Sequence, residues 1–268
     1  MARLYLRQVI VTVLPPVGEP KRISELRVKF RSIKNEESKP NTMELEIYNL
    51  SETTRTSLEG KKTSIILEAG YEDTTEVIFT GNITKVVHEK DGPDIMSKIE
   101  LADGGNKYRN ARISKGIPPG AKISQAIDEL IKAMDLTKGP IIGIPKGQYA
   151  NGLTMQGLAK DRLDEICKSN GLRWSIQDGS IQIIPEKKTT LDSVVIVSPD
   201  TGLIGSPNKT KNGIEFKTLL QPVLKPGKRV KMESRFIDGI FKISTVNHSG
   251  DSQEGDFITE CEAFRGFL

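Results

Sequence analysis

The two histidines of the chain, His88 and His248, are the residues best suited to acid–base or metal chemistry. Each ends the same short pattern, Ile-x-x-Val-x-His, so the two occupy matching positions. A zinc site needs three or four ligands, and no second ligand lies near either histidine in the sequence. A Ser-His-Asp arrangement would depend on one of these two residues alone. We therefore interpret both histidines as residues that end a strand at a hairpin.

The other reactive side chains form no catalytic grouping. Cys167 and Cys261 have no nearby Cys or His at metal-ligand spacing, and we interpret them as buried thiols. Glu44 and Glu46 lie on one face of a predicted strand, where they are expected to be solvated or to face a partner. The sequence contains no phosphate-binding glycine loop, dinucleotide fingerprint, zinc-protease motif or nucleophile elbow. We expect no enzyme activity, no cofactor and no metal.

Composition argues against several classes of partner. The 39 Lys and Arg residues exceed the 35 Asp and Glu residues by a net charge of +4, and the charges are interspersed, so nucleic-acid binding is not required. Aromatic residues make up only 5% of the chain, which argues against an exposed aromatic groove. Residues 1–4 lack the apolar segment of a signal peptide, and no apolar run approaches membrane-spanning length. We expect the protein to fold in a cytosol, away from membranes.

Hydrophobic periodicity divides the chain into a β-rich first part, a helical middle and a β-rich last part. Two-residue alternation, as around Leu45, predicts strands with one buried face. Apolar residues at helical spacing predict a helix over Ile123–Met134, and a Gly/Pro-rich connector is predicted over residues 138–152. A second helix and a hairpin with the turn Asp178-Gly179 follow. The predicted domains are residues 1–110, 111–190 and 191–268.

The two β-rich parts resemble each other, and we interpret them as a duplication. In both parts a strand that ends in the histidine pattern precedes a polar turn and a further strand. The strands before these also correspond. The matched segments are residues 79–88 and 98–102 with 239–248 and 259–263, and residues 43–50 and 63–69 with 214–219 and 229–233.

Four loose patterns carry a resemblance to a known family and together span most of the chain. They are RVKF at 27–30 with PNTMELEIYNL at 40–50, IFTGNI at 78–83, the helix and hairpin of residues 163–185, and GIEF at 213–216 with LLQP at 219–222 and KPG at 225–227. With two β-barrel-like parts around a small α/β module, the chain resembles the baseplate hub proteins of bacteriophage tails and related contractile injection machines.

The resemblance implies a mainly β fold with a small α+β module, in which two tail-tube-like β-barrel domains flank a helix–helix–hairpin insertion. It implies a structural virion protein of the tail baseplate, made in the host cytoplasm. Three copies would form a trimeric ring that adapts a sixfold tail tube to a threefold spike. The implied partners are the tail tube protein and the central spike protein, with the tape measure protein and other baseplate proteins as further candidates. DNA would pass through the lumen during ejection without specific binding.

Four acidic residues on predicted strands, Glu44, Glu46, Glu68 and Glu100, are the candidate channel-facing residues, because an acidic wall repels a phosphate backbone. Two alternatives from other classes remain open. One is a monomeric β-rich module that binds cell wall or protein, and the other is a hydrolase without a recognisable motif. A third alternative is another tail component, such as a hexameric distal-tail or tube-like protein.

Overall fold

A computed structural model describes residues 6–60, 62–72, 74–190 and 192–265, so the N-terminal residues 1–4 lie outside it. Contacts divide the described chain into two compact units. The β unit contains both β-rich parts, and the α/β unit contains the middle of the chain. The β unit comprises residues 6–35, 41–103 and 192–265, and the α/β unit comprises residues 36–40 and 104–190. The three predicted domain boundaries stay a prediction.

The first β-rich part consists of strands whose burial alternates along the sequence. In β4, for example, Met43, Leu45 and Ile47 are buried while Glu44 points away from the core. A short helix follows the N-cap Ser51, whose side chain accepts a hydrogen bond from the backbone N–H of Thr54. The elements are β1 (Arg7–Leu14), β2 (Lys21–Ile23), β3 (Val28–Asn35), β4 (Thr42–Tyr48), α1 (Glu52–Leu58), β5 (Ser64–Tyr71), β6 (Glu76–Asp91) and β7 (Asp94–Ala102).

The α/β unit confirms both predicted helices and the hairpin. The hairpin turn residues Asp178 and Gly179 have φ values of 54° and 79°, the left-handed conformation that this two-residue turn requires. The connector prediction for residues 138–152 is wrong in part, because this segment contributes β10, which pairs in parallel with β14, and β11. The elements are α2 (Gly105–Asn110), β8 (Arg112–Ile117), β9 (Ala121–Lys122), α3 (Ile123–Met134), β10 (Thr137–Ile141), β11 (Gln148–Tyr149), β12 (Leu153–Leu158), α4 (Ala159–Ser169), β13 (Leu172–Gln177) and β14 (Ser180–Pro185).

The last part returns to strands and completes the β unit. A short 3₁₀ turn, Pro199–Thr201, lies between the first two of these strands. The strands are β15 (Val195–Val197), β16 (Leu203–Lys209), β17 (Gly213–Leu219), β18 (Arg229–Glu233), β19 (Asp238–Asp251) and β20 (Phe257–Phe264). The mainly β fold with a small α+β module is therefore confirmed.

A single sheet unites the two β-rich parts within the described residues. Its path is β16-β17-β20-β19-β3-β4-β7-β6-β5-β1-β2, with β15 and β18 attached beside β19, which makes 13 strands. The two parts meet where residues 245–251 of β19 pair in antiparallel fashion with residues 29–35 of β3. We call this pairing the internal seam. The guanidinium of Arg27, at the end of the seam, donates hydrogen bonds of 2.8 Å to Asp251 and 2.6 Å to Glu254.

Cross-strand register confirms that the two parts are structural repeats. In β6, Thr84 is the bulged residue and its hydroxyl donates to the carbonyl of Glu100 at 3.0 Å. In β19, Ser244 is the bulged residue and donates to the carbonyl of Glu262 at 3.1 Å. The bulge lies at the same position in both hairpins and bends both strands in the same way. The hairpins β6–β7 and β19–β20 therefore have the same backbone architecture. The repeats differ at β1, which joins β5 antiparallel, whereas β15 joins β18 in parallel.

Each repeat buries its own apolar cluster, but the first cluster receives help from the second repeat. Phe257 of β20 is 2% exposed and lies against two rings of the first repeat. Its ring centroid is 6.0 Å from that of Phe30 and 5.5 Å from that of Tyr71, both edge-on. The internal seam is therefore supported by packing as well as by backbone pairing.

Candidate functional site: the polar face of the sheet

One polar face runs across eight neighbouring strands, β16, β17, β20, β19, β3, β4, β7 and the second half of β6. Residues that lie directly opposite each other in antiparallel strands point to the same side, so the register assigns the members of this face. Acidic residues outnumber basic ones here, although the whole chain has a net charge of +4. The charged members are Glu44, Glu46, Glu89, Asp91, Asp94, Glu100, Glu215, Asp251, Glu260 and Glu262 with Lys29, Arg31, Lys85, Lys98 and Lys217.

Three of the four predicted acidic residues meet on this face. Glu44 of β4 lies directly opposite Glu100 of β7, and Glu46 follows two positions along β4, opposite Lys98. Glu68 does not join them. It lies on β5, where it pairs with Ile10 of β1 and Val77 of β6, on a strand that the polar face does not include. The structure therefore brings Glu44, Glu46 and Glu100 together, whereas Glu68 lies two strands beyond β7 along the sheet.

The second repeat supplies an equivalent acidic pair that the sequence reasoning missed. Glu215 of β17 lies directly opposite Glu262 of β20, as Glu44 lies opposite Glu100. The match of residues 43–50 with 214–219 already aligns Glu44 with Glu215 and could have found it. Glu262 needed the structure, because the register aligns Leu101 with Ala263, one residue away from the alignment that the sequence suggests. Like charges placed directly opposite destabilise a sheet, so these pairs do not serve stability.

Basic and hydroxyl groups partly balance these carboxylates. Lys85 Nζ lies 3.4 Å from Glu100, and the hydroxyl of Thr245, its repeat equivalent, donates to Glu262 at 3.4 Å. Hydrogen bonds to Glu89 raise the pKa of Lys98, and hydrogen bonds to Glu260 raise the pKa of Lys217. These pairs are open to solvent, where ion pairs contribute little to stability. The face is thus a hydrated, mostly acidic surface, and its second-repeat end contains an open hollow of about 520 Å³ lined in part by Glu215, Asn247 and Glu262.

The histidines point to the opposite, core-facing side of the same hairpins. His88 Nδ1 lies 2.9 Å from the Ser97 hydroxyl, and His248 Nδ1 lies 2.9 Å from the Thr259 hydroxyl. Each histidine precedes the last residue of its strand by three positions instead of ending the strand. Burial, followed by the nearby charge of Lys34, lowers the pKa of His248 to about 3. Within the described ranges no three His, Cys, Asp or Glu side chains come together as metal ligands would.

Both cysteines are buried, as the sequence predicts. Burial raises the pKa of the Cys167 thiol to about 12 and raises that of Cys261 further. A thiol that stays protonated is a poor nucleophile and metal ligand. The cysteines are therefore packing residues.

Comparison with known proteins agrees with the fold. The sequence profile of the baseplate hub gp41 family matches residues 8–263. No curated protein sequence matches the chain. No helix among the described residues is long and apolar enough to cross a membrane.

The structure is similar to solved tail proteins over nearly its whole length. The 43 kDa tail protein of prophage MuSo2 from Shewanella oneidensis has a TM-score of 0.67 at 11% identity, with 97% of this chain and 98% of that chain covered. The tail protein from Neisseria meningitidis MC58 has a TM-score of 0.64 at 13% identity, with 96% of each chain covered. The E. coli c3393 protein, a type VI secretion component with structural similarity to the T4 tail proteins gp27 and gp5, has a TM-score of 0.61 at 10% identity, with 94% of this chain and 76% of that chain covered.

The fold is accordingly that of phage tail and type VI secretion components. The chain belongs to the baseplate hub gp41 family. Its role is structural, as a component of the phage tail baseplate, and the expected class of protein is confirmed.

Proposed function

We propose that three copies of this chain form a ring that joins the tail tube to the central spike and lines the channel for DNA with its polar face. The observation that carries this proposal is the pair of structural repeats in one continuous sheet. Three chains with two repeats each present six equivalent units. Such a ring matches a sixfold tube on one side and a threefold spike on the other.

The ends of the polar face support ring closure. Its first strand, β16, pairs on one side with β17 only, and residues 84–91 of β6 pair on one side with β7 only, among the described residues. Unpaired strand edges are prone to association, and closure into a barrel removes them. We therefore place the joint between copies at these two edges, without an enzymatic step or a cofactor.

The acidic pairs give the channel wall its chemistry. Glu44 with Glu100 and Glu215 with Glu262 would form six carboxylate pairs around the ring. A wall of this sign repels the phosphate backbone of DNA, so DNA would slide without binding. Repulsion of an anionic polymer from the wall then explains why the sheet contains like-charge pairs that do not favour its stability.

The first experiment measures the mass of the purified protein by light scattering over a range of concentrations. The ring predicts a mass of three times 29.6 kDa. A hexamer would indicate a tube-like or distal-tail component instead. A monomer at every concentration would contradict a ring that forms without partners.

The second experiment tests the joint and the wall separately. In the internal seam Ser249 lies opposite Arg31, and the equivalents of these two residues are Glu89 of β6 and Asn208 of β16. Oxidised Glu89→Cys/Asn208→Cys protein should therefore give covalent trimers. Val87→Cys/Asn208→Cys, two residues out of register, is the matched control. Reversal of the charge of the channel wall by Glu44→Lys/Glu215→Lys should leave the trimer intact but slow DNA ejection from assembled phage. Glu68→Lys should leave the rate of ejection unchanged. Unchanged ejection with the reversed wall would argue against the acidic channel.

A further inference from the structure

The aromatic contact at the end of the internal seam has a counterpart elsewhere in the two repeats. In the seam, Phe257 of the second repeat packs against Phe30 and Tyr71 of the first repeat, and all three side chains are buried. If the joint between copies repeats the seam, the equivalents of Phe257 and Tyr71 must meet across the joint. The identity and the exposure of these equivalents therefore show what the joint would contain.

Two backbone hydrogen bonds identify Ile95 as the equivalent of Phe257. The N–H of Asn49 donates to the carbonyl of Ile95 at 2.8 Å, and the N–H of Leu220 donates to the carbonyl of Phe257 at 2.9 Å. In each repeat the donor lies five positions after one glutamate of the acidic pair, and the acceptor lies five positions before the other. Ile95 is 38% exposed, whereas Phe257 is 2% exposed. The first repeat thus presents a partly exposed apolar side chain where the second repeat inserts a buried ring.

Cross-strand register identifies Phe236 as the equivalent of Tyr71. Leu67 of β5 and Met232 of β18 each lie opposite the residue five positions before the bulged residue of the next strand. Tyr71 and Phe236 each follow four positions later. Tyr71 is 3% exposed at the end of β5, whereas Phe236 is 68% exposed in the turn after β18. The second repeat therefore keeps an aromatic ring at this position, but the single chain leaves it open to solvent.

The size of the neighbouring residues changes together in the two repeats. Gly250 lies opposite Phe257, and a Cβ atom at Gly250 would lie only 2.5 Å from the ring of Phe257. The equivalent of Gly250 is Lys90, which lies opposite Ile95. An isoleucine occupies less space than a phenylalanine, so the aliphatic stem of a lysine fits beside it while the ammonium group reaches water.

Charges at the ends of the hairpins also agree with a second use of the seam. In the seam, the guanidinium of Arg27 in the first repeat donates to Asp251, where hairpin β19–β20 turns. The equivalent of Asp251 is the exposed Asp91, where hairpin β6–β7 turns. An exposed arginine, Arg235, lies beside Phe236, with its Cζ atom 5.4 Å from the ring centroid. An acidic hairpin end of one copy would thus meet a basic turn of the next copy.

We propose that the joint between copies is held by Ile95 of one copy packed against Phe236 of the next, in place of the aromatic contact of the internal seam. This inference rests on the proposed ring and names the side chains that hold its joint together. Leu220, which also enters the apolar cluster of the first repeat, has the exposed, polar Asn49 as its equivalent. The joint therefore has fewer apolar contacts than the seam, so rings should dissociate on dilution while the seam stays intact.

The first test places cysteines at the two positions of the full chain. In the sheet, β19, β3 and β4 separate β18 from β7, so a short thiol-reactive cross-linker can join these positions only between copies. Ile95→Cys/Phe236→Cys should give covalent trimers, and the native cysteines should stay unreactive because they are buried. Ile95→Cys/Ile196→Cys is the matched control and should give none, because Ile196 is 48% exposed but points away from the core on β15.

The second test measures mass against concentration by light scattering for Ile95→Ala, Phe236→Ala and the double variant. Each single substitution should raise the concentration at which trimers dissociate by at least about tenfold. The double substitution should raise it little further, because the two side chains share one contact. Ile196→Ala should dissociate as the wild type does. Both substituted side chains are exposed in the single chain, so its fold should be unaffected.

The outcomes separate this inference from the proposed ring. Trimers of Ile95→Ala and Phe236→Ala that dissociate as the wild type does would overturn the contact while the ring stands. Fully additive effects, or equal cross-linking of the control pair, would also overturn direct packing of the two side chains. Monomers of the wild-type protein at every concentration would overturn both the ring and this contact.

Discussion

The hairpins β6–β7 and β19–β20 have the same bulge and the same histidine–hydroxyl contact, and each pairs one glutamate with a glutamate of the next strand, β4 or β17, yet their surroundings differ. β3 covers β19 from within the chain, and as a result His248 is buried and its pKa falls to about 3. In the described chain β6 has no such cover, and His88 stays partly exposed. In this fold the covering strand, more than the hairpin sequence, determines how exposed a strand edge is.

The largest effect should come from breaking the packing that supports the covered hairpin. Phe257→Ala removes a ring that lies between Phe30 and Tyr71, and we expect the free energy of unfolding to fall by about 3–5 kcal/mol. Urea unfolding measures this change. Phe236→Ala is the matched control, because Phe236 is 68% exposed and its loss should change stability by less than about 0.5 kcal/mol. Equal effects of the two substitutions would contradict the seam packing.

The next effect concerns pH. The lowered pKa of His248 means that the folded protein favours the neutral ring, so its stability is fully present above about pH 6.5 and is lost as the pH falls toward 3. Between pH 6.5 and 5, before most carboxylates titrate, we expect a loss of about 2 kcal/mol in the free energy of unfolding. His248→Gln should flatten this loss, whereas His88→Gln should keep it. A flat profile in the wild-type protein would show that His248 is not buried as described.

A smaller effect tests whether the bulges of the two repeats contribute equally to stability. Thr84→Ala and Ser244→Ala each remove one hydroxyl that bridges a bulge, and each should lower the free energy of unfolding by about 0.5–1 kcal/mol. Denaturant unfolding of the two variants and of the double variant measures these terms. The effects should be similar and should add, because the bulges share no partner. A loss confined to one repeat would weaken the case for a common bulge.

The smallest expected effect is an increase in stability. Glu215→Gln removes one carboxylate from a directly opposed pair and should raise the free energy of unfolding by about 0.2–0.5 kcal/mol, whereas Glu44→Gln should give a smaller gain, because Glu44 also lies opposite Arg31. Low ionic strength should enlarge the gain, because salt screens exposed charges. Glu68→Gln, opposite Ile10 and Val77, is the control and should give no gain.

Local signals in the sequence were enough to predict most elements and the repeat. Apolar spacing predicted α3, turn chemistry predicted the hairpin at Asp178-Gly179, and alternation predicted the strands. Pairing of β10 with β14 was missed, because a strand rich in Gly and Pro has no alternation of its own and is held by its neighbour. The distance of Glu68 from the other three glutamates could not be read from the sequence for a related reason, since strand order is a long-range property. The acidic pair of the second repeat could not be predicted, because the structural register of the two repeats differs by one residue from the alignment of their sequences.

The pairing of β3 with β19 also has a consequence for synthesis. His248 lies opposite Ser32, so roughly 200 residues must be made after β3 before its partner exists. At about 5–20 residues per second this takes about 10–40 s, during which β3 leaves the ribosome with one edge uncovered. Long-range strand pairing is slow and exposes nascent chains to aggregation. The first repeat therefore cannot complete its pairing along β3 until the last strands of the second repeat have been synthesised.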